Sequence, residues 1–151
     1  MSDGSRPGGL TALAVINFVV GAGSLVQAFG SVALLVLHAG RIEIDDAARK
    51  QVNEVFAALG ERAILVQTIS AFVSVPFLVV AGVGYLRQSR VWGRGVGNAY
   101  ALQSLAFSGV LSWMIGEHSG ENLGLGVVLW IFFPLVTLFL LNTTFREDFV
   151  R

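Results

Sequence analysis

All twenty aspartate, glutamate, lysine and arginine residues of this chain fall outside four stretches, residues 7–40, 63–86, 95–116 and 122–145, which are 34, 24, 22 and 24 residues long. A helix needs about 20 predominantly apolar residues to cross a hydrocarbon core of roughly 30 Å, so each stretch can span a bilayer. The pattern predicts an all-α membrane protein with four transmembrane helices in an up-and-down antiparallel bundle, the spans covering about residues 10–38, 63–86, 96–116 and 123–142. With about half of its 151 residues in spans, the chain has no room for a second folded core. A single four-helix transmembrane domain is expected over residues 1–151.

A carboxylate, lysine or arginine at span depth usually marks a transporter, a pump or an intramembrane enzyme, and these stretches hold none. Their serines have no histidine or acid at the same depth to activate them, which argues against Ser–His nucleophilic chemistry. The chain is therefore expected to be non-enzymatic. Ten basic against ten acidic residues give a formal net charge of zero, which suggests no nucleic-acid partner. There is no cysteine for a disulfide or a thiolate metal site, and no cofactor is called for.

Orientation follows from the basic residues. Four spans put both termini and the second connection on one side, with six basic residues (Arg6, Arg87, Arg90, Arg94, Arg146, Arg151) against four on the other (Arg41, Arg49, Lys50, Arg62). The positive-inside rule then makes both termini cytoplasmic. Arg6 followed by the apolar run from Leu10 looks like the start of a signal peptide, but the run continues to Leu37, too long for an h-region. It reads as an uncleaved anchor.

Between the first two spans, Ile44, Ala48, Val52, Val55, Phe56, Leu59 and Ala63 recur at spacings of three and four, a helical stripe. Asp45 or Asp46 can cap its start and Gly60 its end, so a short extracytoplasmic amphipathic helix is expected over about 46–59. It should cover the outer ends of the spans or lie at the headgroup boundary. The second connection, Gln88 to Gly97, can place Trp92 at headgroup depth and its arginines near lipid phosphate. Gly93, Gly95 and Gly97 form a G-x-G-x-G run with no preceding strand, so they suggest a sharp turn between spans and no dinucleotide site. The tail, with Phe145 and Phe149 one turn apart, reads as an anchor at the same interface.

Within the spans, Asn17, Gln27, Gln67, Asn98 and Gln103 are the candidate functional residues. They either glue helices together through hydrogen bonds or line a polar pathway. Pro76 and Pro134 each remove a backbone donor from a span. On the outer face, His38, Glu117, His118 and Glu121 combine two imidazoles with two carboxylates, a set that can ligate a divalent ion if it converges. Solvated loop residues near the headgroups explain it more cheaply, and no metal is expected.

The segment R-P-G-G-L-T-A-L-A at Arg6 to Ala14, and Y-L-R-x-S-R-x-W-G-R at Tyr85 to Arg94, resemble a loose set of small bacterial four-span (tetraspan) inner-membrane proteins of unknown function. The resemblance implies a bacterial inner-membrane location and supplies no active-site residue. Small multidrug transporters share the four-span layout but carry a carboxylate in the first span, which this chain lacks. The leading expectation is an integral membrane protein that packs with itself or with a partner membrane protein, surrounded by membrane lipid. The alternatives are a channel or carrier for a small neutral or weakly polar solute, and a lipid-binding or lipid-sensing protein.

Overall fold

The computed structural model describes residues 8–119 and 125–149, with side chains for 8–117 and 131–149. Five α-helices make up the described chain: α1 (Gly8–His38), α2 (Asp46–Leu59), α3 (Glu61–Leu86), α4 (Val96–Ser119) and α5 (Leu125–Asn142). Six residues of π-helix, Arg90–Gly95, lead directly into α4. No strand occurs among the described residues.

Among the described residues two helices, α1 and α3, are long and apolar enough to cross a membrane. At 1.5 Å per residue the 31 residues of α1 extend about 46 Å, more than a bilayer core requires. The 24-residue α4 is long enough, but Asn98, Gln103, Ser104, Ser108 and Ser112 dilute its apolar character. In α5 the described apolar stretch, Ile131–Asn142, is shorter than a span. Both α3 and α5 run unbroken through Pro76 and Pro134.

The amphipathic stripe forms α2 because its ends are chemically marked. Asp45 Oδ1 accepts from the Ala48 amide at 2.7 Å, a cap worth about 1 kcal/mol. Gly60, at φ 79°, a conformation costly for other residues, ends the helix and lets α3 begin one residue later. Val52 and Phe56 are buried on Ile64 of α3, with Leu34, Leu35 and Leu37 of α1 beside them. The stripe therefore covers the ends of two long helices.

The second connection departs from the expected loop. Only residues 87–89 turn, with Gln88 at φ 52°, before the π-helical segment starts. None of its three glycines has positive φ. Gly93 instead lies against the Gly84 backbone of α3, and Gly97 sits under the Tyr85 hydroxyl and Leu141. Close approach of main chains, and not turn geometry, is what these glycines supply.

Laterally the order is α1, α3, α4, α5, each packed along the next. Phe18 of α1 lies over Gly82, and Gly21 faces Leu78 of α3. The remaining seam, α1 against α5, closes at the end holding both chain termini, where Leu10, Leu13 and Ala14 meet Ala81, Tyr85, Leu141 and Phe149. The tail is part of this core: Phe149 is 1% exposed and the Phe145 ring sits on Gly9. Instead of anchoring at a surface, the two phenylalanines latch the terminal end shut.

Candidate functional site

Midway along the helices lies a cavity of about 350 Å³ walled by α1, α3, α4 and α5. Helical spacing explains how the sequence builds it. Val20, Gly23, Ser24 and Gln27 recur at three and four on α1, as do Gln67, Ser70, Ala71 and Ser74 on α3, while Tyr100 and Ser104 stand one turn apart on α4 and Phe133 closes the α5 side. Seven of these eleven residues carry a polar side chain, and none is formally charged. A Cβ built at Gly23 meets nothing within 4 Å, so that helix face borders open space.

Of the five candidate span residues, Gln27 and Gln67 line the cavity directly. Gln103 stands behind its wall. Its Oε1 accepts from Ser74 Oγ at 3.3 Å, and its buried Nε2 has no partner among the described residues. Asn17 is elsewhere, fully buried beside the Tyr85 hydroxyl without a hydrogen bond of good geometry. Asn17, Tyr85 and the Thr137 hydroxyl of α5 form no side-chain hydrogen bond among the described residues. In a low-dielectric interior each such group costs about 1–3 kcal/mol.

Asn98 belongs to a third, fully paired cluster. Its Oδ1 accepts from Asn142 Nδ2 at 2.9 Å, its Nδ2 donates to Asn142 Oδ1 at 3.3 Å, and Arg94 Nη2 donates to the same oxygen at 3.0 Å. These bonds fasten the start of α4 to the end of α5. Sequence reasoning named Asn98 but missed Asn142, which sits at the boundary between an apolar stretch and a polar tail.

The outer-face set does not assemble as one site among the described residues. His38 stacks on Phe56 of α2, ring centroids 3.8 Å apart and 9° between planes. Glu117 borders a separate groove with Glu61, Arg62 and Trp113. The side chain of His118, and Glu121 altogether, lie outside the described residues. No group of three or more metal-ligating side chains occurs among those described.

Tyr100, Ser24, Ser70, Ser74 and Ser104 are cavity residues that were not singled out as a site. The signal was present as a polar stripe: Ser24, Gln27 and Ser31 share one face of α1, and Gln67, Ser70 and Ser74 one face of α3. Hydroxyls and carboxamides both donate and accept, so the cavity can hydrogen-bond an uncharged polar molecule, while its lining supplies no acid–base pair for bond breaking. Compared with protein-family models, curated proteins and solved structures, the chain matches none.

Proposed function

We propose that this is a four-span integral membrane protein with cytoplasmic termini, whose mid-bundle cavity binds and passes a small uncharged solute with several hydroxyl or amide groups. The membrane part is supported by where the apolar surface lies. Val19, Val26 and Phe29 of α1 are 67%, 74% and 61% exposed, and large apolar side chains on α3, α4 and α5 are exposed with them. A soluble monomer rarely shows one apolar patch of more than a few hundred Å²; hydrocarbon tails cover such a surface at no cost. Resistance to extraction by alkaline carbonate is the expected result. The chain has no cysteine, so single cysteines at Ala47 and Thr144 should label from opposite sides of the membrane.

The polar cavity carries the functional reading. Turning Gln27, Gln67 and four serines toward a space between the helices, most of them half-buried, is unfavourable in a bundle that merely packs, and a solute that satisfies them offsets that cost. Proteoliposomes tested by stopped-flow light scattering with glycerol and urea should shrink and reswell faster than protein-free vesicles. Gly23→Leu, which fills the cavity, should abolish the difference. Equal rates for protein-containing and empty vesicles would remove the solute reading and leave the membrane assignment untouched.

One observation favours a second reading, an accessory subunit that packs against itself or another membrane protein. Gly30, Gly109 and Gly116 each have open space where a Cβ would be, and small residues on lipid-facing helices permit close approach of a neighbouring helix. Crosslinking in native membranes, with no solute flux, would select it.

A further inference from the structure

The geometry points to a second site, unrelated to the cavity: we propose that a groove at the terminal end binds a phosphate dianion, either inorganic or carried as a monoester. Arg90, Arg94 and Arg146 line this groove of about 380 Å³ together with Glu147. Two of the arginines are held in place by the fold. Arg90 Nε donates to the Phe149 carbonyl at 2.8 Å. Arg94 donates through Nε and Nη2 to Asn142 Oδ1 at 3.3 and 3.0 Å. That leaves both terminal nitrogens of Arg90 and Nη1 of Arg94 without a protein partner among the described residues. Arg146 forms no hydrogen bond or ion pair there, and Lys50–Glu54, at the far end of the molecule, is the one ion pair among the described residues.

Charge selects the ligand. Three guanidiniums and one carboxylate sum to +3 − 1 = +2 in one groove, the complement of a phosphate monoester, which carries about −1.5 to −2 near neutral pH. Guanidinium forks present paired N–H groups that match phosphate oxygens. Because the Nε atoms of Arg90 and Arg94 are already bonded, the arginines are pre-positioned, and less side-chain entropy is lost when an anion arrives. The π-helical segment sets the spacing by putting Arg90 and Arg94 one turn apart at the start of α4.

The test uses the full chain in neutral detergent. Dihexanoyl phosphatidic acid, dihexanoyl phosphatidylcholine, inorganic phosphate and acetate are titrated separately by calorimetry. Saturable one-to-one binding of phosphatidic acid or inorganic phosphate is expected, with phosphatidylcholine and acetate at least ten-fold weaker. Binding of both probes identifies the phosphate group itself as the ligand, phosphatidic acid alone identifies a lipid headgroup, and inorganic phosphate alone a soluble phosphate. Arg146→Gln should weaken the binding at least five-fold, whereas Arg49→Gln on α2 should leave it unchanged. Arg90→Gln should act like Arg146→Gln; if it loses the fold, Arg146→Gln decides alone, since Arg146 has no hydrogen bond or ion pair among the described residues. Absence of saturable binding, equal binding of acetate, or an Arg146→Gln variant that binds as well as wild type would overturn the proposal.

Discussion

The terminal end of the molecule and its middle use the same residue types in opposite ways. At the terminal end, glycines serve contact: Gly84 and Gly93 bring two backbones together, Gly97 accommodates the Tyr85 hydroxyl, and Gly9 receives the Phe145 ring. Carboxamides there bond each other, Asn98 with Asn142, and hold Arg94. In the middle, the position at Gly23 borders open space, and Gln27 and Gln67 face a cavity. Glycine and amide content in an apolar helix thus says nothing by itself about packing. What decides is whether the partner helix arrives, as it does at the terminal end, where Leu141 of α5 packs in one core with Leu10, Leu13 and Ala14 of α1.

The strongest way to break this comparison is Gly84→Ala. A Cβ at that position falls on the backbone of Trp92 and Gly93, where no flexible side chain can yield. The loss of stability should reach or exceed the upper part of the usual overpacking range of about 1–3 kcal/mol, read as a lowered midpoint in SDS unfolding from mixed micelles. Next comes Asn142→Leu, which strands Arg94 and removes both bonds to Asn98. Interhelical bonds in membranes average about 0.6 kcal/mol and those to charged groups more, so a loss of about 2 kcal/mol is expected. A double-mutant cycle of Asn98→Leu with Asn142→Leu should give a coupling of about 1 kcal/mol. Additive effects would mean that the clasp is not formed.

The all-helical class was legible because charge placement and a three–four stripe are local properties, and α2 was legible to its ends because Asp45 and Gly60 advertise them. The π-helical segment was not. Its three glycines read as a turn, whereas two of them are small because Gly84, Tyr85 and Phe149, distant in sequence or hidden in another helix, press on them. Phe149 was read as an interfacial residue for the same reason: one sequence shows an aromatic among charges, and only the fold shows that it closes the core beside Tyr85. For the candidate site, the amide residues could be named but not sorted. Gln27 and Gln67 meet at the cavity, while Asn17 and Asn98 go to two other places, because sorting them requires the rotation of each helix about its axis, and no residue in α1 or α4 fixes that locally.

The smallest effects belong to the middle, and their sign is the sharper test. Gly23→Ala adds a methyl where nothing lies within 4 Å and replaces a poor helix former by the best one, so the SDS midpoint should rise by up to about 1 kcal/mol. Gln67→Leu removes a carboxamide that forms no side-chain hydrogen bond among the described residues and exchanges it for a side chain of similar size. Desolvating an unpaired amide is costly, so the variant should be as stable as wild type or more stable by a few tenths of a kcal/mol, in contrast to Asn142→Leu, where an amide is equally lost but its bonds are lost with it. The same Gln67→Leu protein should nevertheless show reduced glycerol or urea flux, because the group that is dispensable to the fold is the one available to the solute. If Gln67→Leu were destabilising by as much as Asn142→Leu, the middle of the bundle would be bonded like its end, and the cavity would have no free polar wall to offer.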